Sequence, residues 1–361
     1  MIKILIEGMT NNRGGKETYI INMYNAMDKD KYQFTFIAYD EKIAYEDYLL
    51  ETGAEIIHLP PRHAGLIAHK SQLDKLLTKI HFDVVWSHKT TLSACELLVL
   101  AKKHGVPVRI VHSHSSANMG GKFTYIMHHM NKLFIRRWAN EYFACSDKAA
   151  KWFYGNYPVK IMKNGIDLDR FKFNENIRNI IRAKLDLDGY FVIGHIGRFG
   201  AEKNHKKLLN VFHEYIKTNN RSKLILVGDG EERENIEHQI TALGLNDCVI
   251  LLGIVDNVNE ILQAIDLIVM PSLFEGLPFA LLEAQTAGLK CVVSDTVSHE
   301  SDIMGWNVFL PLDLDDIGWT DEIDKISLNY DRYEGFISMN KHNYDINESV
   351  RCIDDIILSL L

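Results

Sequence analysis

Met270-Pro271-Ser272-Leu273-Phe274-Glu275-Gly276-Leu277-Pro278-Phe279-Ala280-Leu281-Leu282-Glu283-Ala284 reads as a strand that leaves into a loop and returns as a helix. The short apolar run 267–271 suits a buried strand, and Gly276 with Pro278 starts the helix, since proline is at home in a first helical turn. Glu283 then lies about a turn and a half into that helix, so its carboxylate can share one side with the free N–H groups of the helix start. Its neighbours Ala280, Leu281, Leu282, Ala284 and Ala287 form an apolar setting that a charge enters only with a partner. The stretch thus offers backbone donors for phosphate or sugar oxygens, one carboxylate for sugar hydroxyls and another for a ribose diol.

The same strand-turn-helix unit recurs in both directions. Strands are predicted at 2–8, 34–40, 55–59, 84–88, 108–114, 141–146 and 159–163, and again at 191–197, 223–228, 249–253, 267–271, 290–294 and 307–311. Helical spacings of apolar residues, as in 203–218, separate them. Two such series imply an α/β chain of two Rossmann-like, doubly wound parallel sheets. The boundary falls near 165–185, giving domains 1–170 and 171–343 and a terminal segment 344–361. With no long Gly/Ser linker, the domains are expected to face each other across a cleft, with functional residues just after strands.

Three further strand ends carry chemistry. Gly8-Met9-Thr10-Asn11-Asn12-Arg13-Gly14-Gly15-Lys16 runs into an amphipathic helix, where Gly14 and Gly15 let backbone N–H groups approach a phosphate; an ordinary glycine turn accounts for the pattern equally well. Neither a G-x-G-x-x-G fingerprint nor a G-K-[ST] loop is present. Ile193 to His205 ends a strand in Gly197-Arg198 and places Lys203 at a helix start, so two cations converge where a diphosphate's charge would grow as it leaves. Gly228-Asp229-Gly230 closes another strand in a tight turn, against which a base or ribose can lie; a plain βα turn is the alternative.

Length and composition bound the function. At 361 residues and 47% hydrophobic content the chain buries substantial cores, and a disordered or collagen-like chain is excluded. Five scattered cysteines with no C-x-x-C pair indicate neither a disulfide framework nor a zinc site, and Cys145 and Cys291 read as small core residues. The net charge of −8 is uneven: residues 1–170 carry 23 Lys and Arg against 17 Asp and Glu, net +6, and residues 171–361 carry 17 against 31, net −14. A basic half in an acidic chain favours an anionic ligand or membrane surface over a nucleic-acid groove. No run approaches the length of a membrane span, and Met1–Ile6 reads as a strand rather than a signal peptide, so a cytoplasmic location is expected.

Taken together, the Glu-x7-Glu pair Glu275 and Glu283, Gly197-Arg198 with Lys203, Gly14-Gly15, Gly228-Asp229-Gly230 and Asn164-Gly165-Ile166-Asp167 resemble the retaining glycosyltransferases of family 4, which have the GT-B fold. The resemblance spans nearly the whole chain and is nearest to members that build bacterial capsule or exopolysaccharide. It implies that Glu283 binds the nucleotide ribose, Glu275 contacts the transferred sugar, and Arg198 and Lys203 stabilise the leaving diphosphate. It also implies backbone contacts from Gly15 and from the amides of Phe279, Ala280 and Leu281. In Val111-His112-Ser113-His114-Ser115, where such enzymes often place a polar group near the donor sugar, His114 is favoured, with His112 the alternative; a histidine hydrogen-bonded in the core fits either position. The implied donor is a nucleotide sugar, UDP being the expected nucleotide, with a hexose or N-acetylhexosamine passed to a glycan or polyprenyl-diphosphate-linked acceptor. Neither cofactor nor metal is implied, and neither Asp167-Leu168-Asp169 nor Asp313-Leu314-Asp315 looks like a metal triad.

The stretch 122–138, Lys122 to Trp138, mixes aromatic and aliphatic residues with cations. It suits either peripheral contact with an anionic membrane face or a core helix with a basic outer side. An epimerase or phosphorylase on the same scaffold, or a non-catalytic nucleotide-sugar-binding subunit, are the competing functions. Turnover that depends on acceptor separates the transferase from an epimerase, and turnover by the single chain separates it from a binding subunit. A phosphorylase of the usual kind would want a pyridoxal-bearing lysine, which nothing marks here.

Overall fold

Parallel strands covered on both faces need near-continuous apolar runs, and the computed structural model builds two sheets from such runs. It describes residues 1–361 except Met119, Gly276, Ser327 and Leu328; Gly276, read above as part of a helix start, lies outside the described residues. Strands β1 (Ile2–Glu7), β2 (Tyr32–Ala38), β3 (Glu55–His58), β4 (Val84–Lys89), β5 (Val108–Ser113), β6 (Glu141–Ala144) and β7 (Lys160–Ile161) form the first sheet, in the order β3-β2-β1-β4-β5-β6-β7. Strands β8 (Phe191–Ile196), β9 (Ser222–Val227), β10 (Val249–Gly253), β11 (Leu267–Met270), β12 (Lys290–Ser294) and β13 (Val308–Leu310) form the second, in the order β10-β9-β8-β11-β12-β13. Every pairing is parallel. The thirteen strands read from the sequence all occur, with ends shifted by at most two residues.

Each sheet changes its direction of growth once, between β1 and β4 and between β8 and β11. At such a switch point the flanking connections diverge to opposite faces and leave a crevice beyond the strand ends. The cores on either side are apolar: Trp86, Phe82, Phe143 and Phe153 are fully buried in the first unit, and Trp319, Phe199 and Phe212 in the second. Among the described residues no disulfide forms.

One compact unit comprises Met1–Gly165 with Ile346–Leu361, the other Ile166–Asp345. The crossings therefore lie a few residues from the expected 170 and 343. Asp167 caps the short helix Leu168–Phe171 by accepting from the Arg170 amide, and Leu168 and Phe171 are buried, which ties this segment to the second unit. The terminal helix Ile346–Leu360 packs on the first unit, where Lys31 Nζ and Tyr32 Oη donate to Asp354 at 2.8 and 2.7 Å. A Cβ on Gly165 would press within 2.9 Å of the Ile346 backbone, so glycine there permits this docking.

The helix Lys122–Lys132 does not pack as a core helix. His128 is its buried residue, while Phe123, Tyr125, Ile126 and Met130 are exposed, as are Leu133 and Phe134 just beyond. Among the described residues no helix is long and apolar enough to cross a membrane.

Candidate functional site

In the second unit the loops after β8 and β11, the two strands flanking the switch point, supply the predicted charges. Lys203 follows β8 in a short 3-10 turn, Ala201–Lys203, and its ammonium forms an ion pair with the carboxylate of Glu275, which follows β11. Both side chains are largely buried, at 13% and 15% exposure, so the pair sits in a partly desolvated crevice rather than on open surface. The Lys203 side chain lies against Gly197, where a Cβ would come within 3.0 Å of its Cε. Arg198 is different. Its guanidinium is about half exposed and faces Glu202 at 3.2 Å and Glu231 at 3.6 Å. Sequence reasoning grouped the two cations; the structure makes Lys203 the buried, positioned one and Arg198 the solvent-facing one.

Gly228 has φ +141°, and a Cβ there would collide with the Gly197 carbonyl; Gly230 has φ +159° and would crowd the Phe199 backbone. The loops after β8 and β9 are stitched by Gly197 N–H to Val227 O, Phe199 N–H to Asp229 O and Glu232 N–H to Phe199 O, at 2.9–3.0 Å. These glycines therefore serve the close approach of two loops, and through it the placement of Gly197-Arg198, which is an internal reason for them that the sequence did not reveal.

The helix Phe279–Thr286 starts at Pro278 with no side-chain cap. Among the described residues the Phe279 and Ala280 amides have no acceptor, whereas the Leu281 amide donates to Pro278 O at 3.1 Å. Leu281 is thus removed from the three donors expected here, because the first turn tightens and uses its N–H internally. Glu283 is half-buried among the apolar side chains of this helix, and its carboxylate makes no hydrogen bond or ion pair to a described residue. Burial pushes its carboxyl up to about 7, against an opposing pull from Arg170. Arg170, which also donates to Asp256 O at 2.9 Å, is a neighbour that the sequence did not single out.

In the first unit the helix Gly15–Ala26 follows β1, with Gly14 as its N-cap and no side-chain cap. A Cβ on Gly15 would meet nothing within 4 Å, so neither packing nor backbone angle demands glycine there. His114 is half-buried just past β5, and its Nε2 lies 2.9 Å from His88 Nδ1. His112 is fully buried, and neither of its ring nitrogens has a partner among the described residues. On the opposite face of β4, Glu7 accepts from Ser87 Oγ (2.6 Å), Lys89 Nζ (2.7 Å) and Tyr39 Oη (3.0 Å). Burial raises its carboxyl, but Lys89 and these hydrogen bonds outweigh that and hold it below the usual carboxylate range. His88 and Glu7 escaped the sequence reading, although His88 stands one residue before the end of β4 as His112 does in β5.

Comparison with known proteins agrees with this architecture. Residues 13–170 match the model described as Glycosyltransferase Family 4, and 177–340 match Glycosyl transferases group 1. The chain is 32% identical over 311 residues to a Bacillus subtilis protein provisionally named glycosyltransferase EpsF, covering 82% of this chain and 80% of that one. It is 27% identical to an Escherichia coli UDP-Gal:α-D-GlcNAc-diphosphoundecaprenol α-1,3-galactosyltransferase, covering 80% and 71%. Among solved structures, Anabaena Alr3699/HepE in complex with UDP and glucose superposes with a TM-score of 0.76 at 18% identity over the whole of both chains. The glycosyltransferase WaaG gives 0.70 at 16%, over 98% of this chain and 99% of that one. Both sheets, their switch points and these matches make the chain a glycosyltransferase of group 1, family 4, with the GT-B fold.

Proposed function

We propose that this enzyme is a retaining, metal-independent hexosyltransferase. It transfers a hexose or N-acetylhexosamine from a UDP sugar to a glycan or polyprenyl-diphosphate-linked acceptor in surface polysaccharide biosynthesis. The observation that carries the reading is the Lys203–Glu275 pair at the β8/β11 switch point, with the unpaired Glu283 on the helix that follows. A carboxylate in an apolar wall with no cation at ion-pair distance suits a ligand that brings two hydroxyl donors, and a ribose diol does so. The name of one relative supports the donor and acceptor classes, a galactosyltransferase that uses UDP-Gal and an α-D-GlcNAc-diphosphoundecaprenol acceptor.

In this account the donor's diphosphate competes with Glu275 for Lys203, and Arg198 swings in from the surface as a second cation. The Phe279 and Ala280 amides donate to phosphate oxygens at the helix N-terminus, and Gly15 gives a further backbone contact. Glu275, released from Lys203, accepts from the sugar's hydroxyls. The acceptor oxygen attacks the anomeric carbon on the face from which the diphosphate leaves. The bond from that carbon to the phosphate oxygen breaks, the new glycosidic bond forms, and the acceptor's proton passes to the departing phosphate oxygen. His114 stands near the sugar. Lys203 and Arg198 act where charge grows, and removing the Lys203 contact costs about 10²–10³ in rate. No cofactor takes part. The exposed apolar and basic face around Lys122–Trp138 supplies peripheral contact with the inner leaflet, where a lipid-linked acceptor resides.

A panel of nucleotide sugars screened by thermal shift, followed by donor hydrolysis, tests the reading. One UDP sugar should raise the melting temperature of wild type, and Glu283→Ala should abolish that rise. No stabilisation by any nucleotide sugar would sink it.

A further inference from the structure

Three histidines meet at the C-terminal edge of the first sheet. His88 in β4 and His112 in β5 are register partners, so they stand side by side. His114 follows two residues after His112, and its amide continues the ladder by donating to Lys89 O at 2.8 Å, which returns its side chain to the same face. The ring centroids of His112 and His114 are 4.3 Å apart, those of His88 and His114 5.1 Å, and those of His88 and His112 5.3 Å. One ring nitrogen from each lies within 4.8 Å of the other two.

Buried histidines usually satisfy one another or the backbone, and here that holds only in part. His88 and His114 share one hydrogen bond. Among the described residues both nitrogens of the fully buried His112 are left over, as is the hydroxyl of fully buried Tyr19, whose ring is 4.8 Å from that of His112. Unpaired buried polar atoms clustered in one place call for a ligand that can use lone pairs.

We propose that His88, His112 and His114 form a binding site for a divalent transition-metal ion, with Zn²⁺ the best fit. Zinc takes neutral imidazoles at about 2.0–2.1 Å in tetrahedral geometry, and a fourth position remains for water. Tetrahedral bonds of that length set the nitrogens about 3.3 Å apart, so the widest gap closes by about 1.5 Å, through rotations of the imidazole rings. Burial disfavours the charged form of all three rings and so favours the neutral imidazole that a metal takes. Lys16 opposes a cation here, but its ammonium is held by Glu17 at 3.2 Å. A site made only of imidazoles lacks the oxygen ligands that Mg²⁺ requires, so this ion is not one that bridges a diphosphate.

The test is calorimetric titration of Zn²⁺ into the chelator-treated, dialysed full chain without nucleotide. One ion should bind per chain with micromolar or tighter affinity. His114→Gln and His112→Asn should each weaken it at least tenfold, and His81→Ala, at an exposed histidine elsewhere, should not. Melting of each variant without metal checks that it is folded; His114→Gln, at the half-buried position, keeps the test valid should His112→Asn fail to fold. Absence of one-to-one binding to wild type, or undiminished affinity in folded His114→Gln, overturns the proposal.

Discussion

Glu283 shows what a single buried carboxylate does to this enzyme. Its folded value of about 7 lies above the ordinary 4.5, so the folded chain holds an extra proton between those two values. The associated stability is fully present below about pH 4.5 and is lost as pH rises through 7, by on the order of 3 kcal/mol when complete. Glu283→Gln, which cannot ionise, should therefore gain melting temperature relative to wild type between pH 5 and pH 8. Parallel melting curves across that range would contradict the assigned environment. A ribose diol donates best to the ionised form, so UDP binding at pH 6 should release protons, read as a dependence of calorimetric enthalpy on buffer ionisation. At the chemical step, Lys203→Ala and Glu275→Gln should each lower kcat by about 10²–10³. Arg198→Ala should cost less, since its half-exposed side chain is already screened by water and by two carboxylates. The sequence singled out all of these side chains from their positions after strands. It could not show that Lys203 and Glu275 pair, because that contact bridges 72 residues and depends on β8 and β11 lying side by side.

At the scale of elements, the glycines separate fold from function. Gly228 adopts a backbone angle that disfavours side chains and abuts the Gly197 carbonyl, so Gly228→Ala should lower the melting temperature sharply. Gly15 meets neither constraint, so Gly15→Ala should melt like wild type while raising KM for the donor. Equal KM values would remove Gly15 from the donor contacts. The strands themselves were legible throughout, because parallel strands buried on both faces write themselves as short apolar runs between helical spacings. Harder to see was the use of the Leu281 amide, a matter of how tightly one turn closes after Pro278. The histidine cluster was hidden for another reason: His88 and His112 are 24 residues apart, and only register makes them neighbours.

Across the whole molecule, the chain crosses between its two units near Gly165 and again near Asp345, and its last helix completes the unit that its first strand began. That helix buries Ile346, Ile353, Ile356 and Ile357, each contributing about 1.5–3 kcal/mol. Removing residues 346–361 should therefore destabilise the first unit well beyond the loss of a frayed end, as read by limited proteolysis. The basic first half and the exposed apolar side chains around Lys122–Trp138 make anionic vesicles the natural probe of membrane contact. Binding at low salt should fall in the double variant Arg136→Glu/Arg137→Glu, and unchanged binding would remove the membrane from the account. The most direct test of the donor site is calorimetric titration of UDP into the intact chain, wild type beside Glu283→Ala. The account predicts one site per chain, weakened at least tenfold by the substitution; equal affinity in the two proteins would contradict it.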